Sequence, residues 1–454
     1  MGRDHITRET LTPPEKALLI GVDWKSHPEG KFLPDAWPVE ESLAELERLA
    51  ETAGIEIVDQ IVQSLRRPNA STFIGQGKAE EIAQAARAYN ANVVIFDDEL
   101  SPRHQRELEA IFGNKVKVID RTTLILDIFA QHANTREGSL QVELAQYVYR
   151  LPRLTQTWTD RALTRQAGGR AGGSTGGVGL RGPGETRLEM DRRVIRHRIA
   201  QIKRDLESVR SHRARHRAQR QHSGLPTISL VGYTNAGKST LLNALSGADI
   251  YVADQLFATL DPTTRRVELP GGTTVLVTDT VGFIQKLPTQ LVAAFRATLE
   301  EIVEADLLLH VIDASHVYAM EQARAVYDTL REIGADEIPI ITVLNKIDRL
   351  ADPEAACEAL YDMQDTVAIS ALTSYGLDIL KTHIEEALEA EMIPVDVLIT
   401  FDRGDLVSLF HERGLIDREE HLKSGTRIKG RLPAELMPNF EAFHATDKPA
   451  TTAK

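Results

Sequence analysis

Cysteine is almost absent: Cys357 is the single one in 454 residues. One thiol cannot close an internal disulfide, so no disulfide framework is available, and the composition suits a reducing compartment. Long apolar runs are missing as well. No stretch approaches the ~18 to 20 apolar residues that a membrane-spanning helix requires. The opening residues, MGRDHITRETLTPPEK, alternate in charge around no apolar core, so no secretory signal is expected. These absences point to a soluble, cytoplasmic chain. Aromatic residues make up only 5%, and Trp24, Trp37 and Trp158 are too scattered to build a cage for a cationic ligand.

Positive charge is also short overall, with a formal net charge of −13. Taken alone, that argues against a nucleic-acid partner. The average conceals an asymmetry, because Arg187 to His222 carries twelve Arg and Lys residues against Glu189, Asp191, Asp205 and Glu207. Local charge, not net charge, sets the field at a contact surface, so this segment has the footprint of a polyanion contact.

With 42% hydrophobic and 26% charged residues the chain is ordinary globular material, and its length calls for roughly three domains. Residues 1–120 alternate in type. KALLIGVDW, IEIVDQIVQ, NVVIFDD and KVKVIDR read as strands. Between them lie a helix over 39–53, GKAEEIAQAARAYN, and SPRHQRELEAIF with Ser101 as its cap and Pro102 at its first position. That alternation predicts an α/β domain on a mostly parallel sheet. Residues 121–224 read as a helical hairpin: one helical stretch over 121–154, a glycine-rich loop at 168–184, and a second helix from about Arg187 to Gln221. A second α/β domain is expected over 225–392 and a small α+β domain over 393–435, read as strand, helix, strand with a turn at RGLID. Residues 436–454 are expected to be a disordered tail.

The second α/β domain carries the chemistry. GYTNAGKS comprises Gly232, Tyr233, Thr234, Asn235, Ala236, Gly237, Lys238 and Ser239, after the strand TISLV and before the helical TLLNAL. This is the phosphate-loop pattern in its required context: inward N–H groups around a β-phosphate, Lys238 on the β/γ-phosphates and Ser239 on Mg²⁺. Asp279, Thr280, Val281 and Gly282 follow the strand TTVLVT, placing Asp279 toward Mg²⁺ and the Gly282 N–H toward a γ-phosphate. Asn345, Lys346, Ile347 and Asp348 follow IPIITVL, and Asp348 can accept both the N1–H and the 2-amino hydrogens of guanine, a pair that adenine lacks. Ser370, Ala371 and Leu372 follow TVAI and offer backbone N–H groups to guanine O6. Four such segments in order, each after its own strand, define a GTP site.

LFATLDPTTRR supplies the first switch, with Phe257, Ala258, Thr259, Leu260 and Asp261 assigned to the nucleotide. Thr259 is the preferred second Mg²⁺ ligand, with Thr263 and Thr264 as rivals that spacing does not exclude. Lys238, Thr259 and Gly282 are the catalytic candidates. One more absence matters. The position after Gly282, where many GTPases carry a water-orienting Gln, is Phe283, so slow intrinsic hydrolysis and a stimulating partner are expected. Asn235 reads equally as a K⁺-recruiting residue and as a loop-shaping one.

GYTNAGKST, LFATLDPTTRR, DTVGFIQKLP and NKID, with FIGQGKAEEI at 73–82 and REGSLQVELAQ at 136–146, resemble the HflX GTPases of the Obg-related class over roughly residues 16–435. The resemblance implies a cytoplasmic GTPase that binds the large ribosomal subunit and its rRNA and splits or rescues stalled ribosomes, notably under stress. It also implies ATP use by the N-terminal region. There GQGK (75–78) and FDDE (96–99) offer a phosphate turn and Mg²⁺ carboxylates, against the plainer reading of a structural turn and an acidic loop. The stretch GGRAGGSTGGVGLRGPGETRLE has no G-K-[ST] ending and no preceding strand, so it is no nucleotide loop. Small residues interleaved with arginines suit threading among RNA elements, and Arg170, Arg181, Arg187, Arg192, Arg196 and Lys203 are the RNA-contact candidates. His212, His216 and His222 read as solvated or phosphate-facing. The rivals are a GTP-gated regulator of a non-ribosomal protein and an ATP-dependent RNA remodeller.

Overall fold

The structure, a computed structural model, describes residues 14–25, 38–113, 115–154, 187–223, 225–248, 256–257, 261–286, 296–351, 365–433 and 436–444. Side chains at 187–188, 210–223, 296–298, 300 and 412 are outside that description. The chain forms two compact units. Residues 1–211 make up the first together with 253–261 and 281–298; the second comprises 212–252, 262–280 and 299–454.

The first unit is built on β1 (Lys16–Trp24), α1 (Val39–Thr52), β2 (Glu56–Leu65), α2 (Gln76–Ala88), β3 (Val93–Phe96), α3 (Pro102–Phe112) and β4 (Lys117–Asp120). The strands form one parallel sheet in the order β2-β1-β3-β4. β3 is buried along its whole length, as expected of a parallel strand covered on both faces. Leu18, Ile20, Val94, Phe96 and Val118 form its core with Ile82 and Leu108 from the helices. The Ser101 hydroxyl accepts the His104 N–H at 3.2 Å, the cap expected of that serine.

β4 runs directly into α4 (Arg121–His132), whose cap is Asp120, accepting the Thr123 N–H at 2.9 Å. α4 buries Leu124, Ile125, Leu126, Ile128 and Phe129. The helical stretch expected over 121–154 is in fact interrupted. The chain leaves the helix at Ala133 and restarts as α5 (Arg136–Arg150), capped by the Thr135 hydroxyl accepting the Gly138 N–H at 3.0 Å. Thr bonds to nearby backbone more readily than it continues a helix, so it marks a start inside a pattern that reads as continuous. α6 (Arg187–Ser223) runs 37 residues. It buries Ile202 and Leu206, and its Arg198 makes a two-pronged pair with Glu143 of α5, both bonds 2.8 Å.

The second unit carries β5 (Thr227–Gly232), α7 (Lys238–Ser246), β6 (Thr263–Glu268), β7 (Thr274–Asp279), β8 (Leu307–Asp313), α8 (Ala319–Ile333), β9 (Ile340–Asn345), β10 (Thr366–Ala368) and α9 (Leu377–Ala390). Its sheet has the order β10-β9-β8-β5-β7-β6, parallel throughout except that β6 runs against β7. Ile228, Leu230, Leu241, Val277, Leu309, Val311 and Val343 fill its core.

β11 (Ile393–Ile399), α10 (Gly404–Arg413), β12 (Leu415–Leu422) and β13 (Gly425–Leu432) follow, forming an antiparallel sheet in the order β11-β13-β12. Two expectations are corrected here. RGLID is not the turn: β12 already begins at Leu415 within it, and the segment read as one strand is a hairpin of two, turned by Lys423 and Ser424 just before Gly425. Residues 436–444 are ordered, not tail: Leu436 and Phe440 are buried, and the Phe440 ring meets Phe410 edge-on at 5.6 Å. An aromatic anchor supplies that burial. Among the described residues, no helix is long and apolar enough to cross a membrane.

Candidate functional site

The phosphate loop joins β5 to α7, so the first helical amides stand at the carboxyl end of the sheet. Gly237 adopts φ +96°, and a Cβ there would stand 2.3 Å from Asn345 Nδ2, so only glycine fits. Lys238 is buried and donates to the carbonyls of Gly232 at 3.1 Å and Tyr233 at 2.8 Å. Burial lowers its pKa to about 8, Asp279 works against the drop, and Lys346 adds to it. A buried cation held by loop carbonyls is poised for phosphate oxygens, which would raise its pKa again.

The guanine end is assembled from three loops. Asn345 is buried; its Nδ2 donates to the Ala236 carbonyl at 2.9 Å and its Oδ1 accepts the Ala371 N–H at 3.0 Å. This one side chain ties the phosphate loop to the Ser370–Leu372 loop. Lys346 Nζ bridges the Asn235 carbonyl and Asp313 Oδ2, both at 2.7 Å. Asp348 is exposed, and its Oδ1 accepts the Ser370 hydroxyl at 2.6 Å, which fixes the carboxylate plane. Asp313 was missed by sequence reasoning; its signal was an acid closing the apolar run LLLHVID. So was His310, fully buried on β8 with its ring edge-on to Tyr327 at 4.9 Å. Both His310 ring nitrogens lack hydrogen-bond partners, and burial with the nearby Lys238 lowers its pKa to about 3.

The donor set fits a hard cation. The Ser239 hydroxyl and the buried Asp279 carboxylate meet at 2.6 Å, both oxygen donors of the kind Mg²⁺ prefers. Bound there, Mg²⁺ would supply charge neutralisation to the phosphates. Of the rival threonines, Thr264 shares a hydrogen bond with Thr278 at 2.9 Å inside the sheet, whereas Thr263 lies opposite Asp279 in register. Thr259, with Ala258 and Leu260, lies outside the described residues. Thr280 is buried and its hydroxyl donates to the Leu230 carbonyl at 2.6 Å, so that side chain serves the sheet. Leu372 is exposed.

Two pieces of the nucleotide-binding sequence are held inside the first unit. The Phe257 ring packs on Phe129 of α4 at 4.5 Å. Asp261 accepts the N–H groups of Asn134 at 3.0 Å and Thr135 at 2.8 Å together with the Thr135 hydroxyl, and so sits at the start of α5. Farther on, Gly282, Phe283 and Ile284 are buried, and Lys286 binds Asp97 and Asp98. None of these pairings was legible, since the partners lie more than a hundred residues apart.

The candidate N-terminal ATP groups are engaged within the chain. Gly75 N–H bonds the Gln63 side chain at 3.2 Å, Lys78 pairs with Glu81 at 2.8 Å, Asp97 faces Arg121 and Lys286, Asp98 faces Lys286, and Glu99 faces Arg153. On α6, Arg196 and Lys203 are exposed and Arg192 is half-buried. Arg193, His197 and Arg204 share the exposed stripe at three- and four-residue spacing. Arg170 and Arg181, with the glycine stretch, lie outside the described residues, as do the side chains of Arg187, His212, His216 and His222.

A phosphate loop, a Ser–Asp metal pair, and an Asn-Lys-x-Asp loop stapled to its partner loops together define a guanine-nucleotide-binding P-loop protein. Comparison with known proteins narrows this. Residues 40–130, 132–220, 227–346 and 356–436 match in turn the families described as GTP-binding GTPase N-terminal, GTP-binding GTPase Middle Region, 50S ribosome-binding GTPase and HflX C-terminal domain. The GTPase HflX of Alkalihalophilus pseudofirmus is 47% identical over 410 residues, covering 88% of this chain and 93% of that one. That of Escherichia coli is 46% identical over 395 residues, covering 87% and 90%. A GTP-binding protein from Sulfolobus solfataricus, solved with GDP, aligns over 82% of this chain and 98% of its own at 25% identity and a TM-score of 0.42. The chain belongs to the HflX family of GTPases, and it is a GTP-hydrolysing enzyme.

Proposed function

We propose that this GTPase binds the large ribosomal subunit through rRNA contacts and uses its nucleotide state to split or rescue stalled ribosomes. The observation that carries the reading is the exposed basic stripe of α6 in a chain whose net charge is −13. Such a stripe suits a phosphate backbone, and a purely protein partner would not require it. The description of the matching family, 50S ribosome-binding GTPase, points the same way. Arg192, Arg196 and Lys203 supply sequence-independent grip, and Arg170, Arg181 and Arg187 act at or near the glycine stretch.

In hydrolysis, Lys238 holds the β/γ-phosphates and the Gly282 N–H reads the γ-phosphate. Ser239 and Asp279 would hold Mg²⁺, with Thr259 as the further ligand. Asp348 selects guanine. Phe283 cannot orient water, so turnover is slow until the ribosome completes the site. Asn235 stands exposed on the phosphate loop at φ +59°, where its side chain can help hold K⁺.

Sedimentation of the full chain with 70S ribosomes and separated subunits, loaded with GDP or a non-hydrolysable GTP analogue, tests the reading. Analogue-dependent co-sedimentation with the large subunit is expected, along with GTP turnover that rises when ribosomes are added. Equal turnover with and without ribosomes, or no nucleotide-dependent sedimentation, would sink it. Thr259→Ala should raise the Mg²⁺ concentration needed for half-maximal turnover, whereas the same rise from Thr263→Ala alone would move the ligand to Thr263.

A further inference from the structure

The acidic turn FDDE closes β3 in the first unit. Its Asp97 N–H donates to the Ile20 carbonyl of β1 at 2.9 Å, so the turn lies at the carboxyl ends of β1 and β3. With the strand order β2-β1-β3-β4, the chain leaves β1 toward one edge and returns to β3 on the other side. In open parallel sheets that divergence opens a crevice at the strand ends, and ligands bind there. Here a side chain of the same polypeptide fills the position. Lys286 Nζ donates to Asp97 Oδ2 and, at 2.8 Å, to Asp98 Oδ1.

The receptor is rigid. Asp97 and Arg121 are each 2% exposed, and Arg121 donates to Asp97 Oδ1 from Nη2 at 2.8 Å and Nε at 3.1 Å. Arg121 Nη1 reaches Glu45 at 2.6 Å and the Gln285 carbonyl at 3.3 Å, while the Ser42 hydroxyl donates to Asp97 at 2.7 Å. Burial alone would raise the Asp97 pKa; Arg121, Lys286 and the bonds from Lys286 and Ser42 outweigh it and hold it at about 2. The guest is also fixed. Phe283 and Ile284 are each 4% exposed, and Lys286 adopts φ +55°, which a side-chain-bearing residue tolerates only when its surroundings hold it there. Every residue from Gly282 to Ile284 is buried, the Gln285 carbonyl accepts from Arg121, and Lys286 is bonded at the carboxyl end of β3.

We propose that Asp97 and Lys286 are positioning residues for GTP hydrolysis: their ion pair ties residues 283–286 to the end of the N-terminal sheet and thereby sets where the Gly282 amide stands. Asp98 completes the clamp. A hydrogen-bond donor aimed at developing charge is effective only when held in place beforehand, and a displacement near 1 Å costs far more rate than binding. The inference rests on the reading of Gly282 as the γ-phosphate contact.

The test is steady-state GTP hydrolysis by the full chain, with GDP affinity measured in parallel by fluorescent-nucleotide titration. Lys286→Met should lower kcat about tenfold while KM for GTP and GDP affinity stay within about twofold. Lys286→Arg, which keeps the cation, should retain most of the wild-type kcat. Asp98→Asn should lower kcat in the same direction, and the double variant should be no worse than Lys286→Met alone. If Lys286→Met fails to fold, Asp98→Asn carries the test. An unchanged or raised kcat in the folded variants, an equal loss with Lys286→Arg, or a parallel fall in GDP affinity would overturn the proposal. Gly282→Pro, which removes the amide N–H itself, separates the two readings. If a folded Gly282→Pro variant that still binds GDP keeps its kcat, the γ-phosphate assignment falls, whatever the Lys286 variants show.

Discussion

Lys238 and His310 are buried bases of the second unit, and burial is the first cause that lowers the pKa of each. In the nucleotide-free protein, burial brings Lys238 down to about 8. Triphosphate binding should raise it again, so at pH 8.5 binding takes up a proton, and affinity declines as pH climbs above 8. Below that the lysine is already charged and the effect vanishes. Calorimetry of GTP binding at pH 8.5 in buffers of different ionisation heat should therefore give buffer-dependent enthalpies that converge at pH 7; buffer-independent heats at both values would refute it. His310 responds to acid instead. The folded protein keeps it neutral down to about 3, whereas the unfolded chain protonates it near 6.5. Its stabilising contribution is whole above 6.5 and is lost as pH falls toward 3, by at most about 1.4 kcal/mol per pH unit. His310→Phe, which keeps a ring against Tyr327, should lose less melting temperature than the wild type between pH 7 and pH 5. Equal losses would show that the imidazole is not the acid-sensitive group. Lys238 was legible because its role follows from local spacing. His310 was not, because a histidine in an apolar strand carries no sign of whether its nitrogens find partners.

Elements were legible wherever one face of a local pattern decides the structure. The four strands and three helices of residues 16–120 follow from alternation and from caps such as Ser101. Elements set by distant packing were not. Phe440 is anchored by Phe410, and nothing in MPNF itself announces burial. The break between α4 and α5 likewise has its meaning elsewhere, since the new amino terminus of α5 receives Asp261. REGSLQVELAQ thereby gains a physical role: a carboxylate at a helix start meets free N–H groups and a favourable dipole. Gly138 is what allows the approach, because a Cβ there would lie 2.5 Å from Asp261 Oδ1. Gly138→Ala should thus expel the carboxylate and destabilise the protein by about 1.5–3 kcal/mol, the range for hydrogen bonds to a charged group. In an Asp261→Ala background the same substitution should cost much less, since the clash has been removed. Additive losses of melting temperature in the double variant would show that Gly138 serves something other than the Asp261 seat.

At the scale of the whole molecule, the charge distribution separates two jobs. In a chain of net charge −13 the concentrated basic segment of α6 is where a polyanion is favoured, so ribosome binding should depend on orientation and on salt. Arg198 contributes little to this field because Glu143 neutralises it. The exposed Arg196 and Lys203, with half-buried Arg192, face solvent on the same helix. Replacing all three with Gln should weaken ribosome binding and reduce the slope of log affinity against log salt by about two units, close to the ~0.7 to 0.9 expected per phosphate contact. GTP affinity should not change, because among the described residues none of these side chains bonds to the nucleotide loops. Replacing Arg170 and Arg181 with Ser should act differently. If the glycine stretch works in a confined RNA site rather than as a grip, subunit splitting should fall much further than binding does. Co-sedimentation across a salt series, paired with light scattering of 70S dissociation, measures both quantities on the same preparations. A salt slope unmoved by the triple α6 variant would remove the basis for rRNA contact. Splitting that survives the loss of Arg170 and Arg181 in full would leave the glycine stretch only the role of a tether.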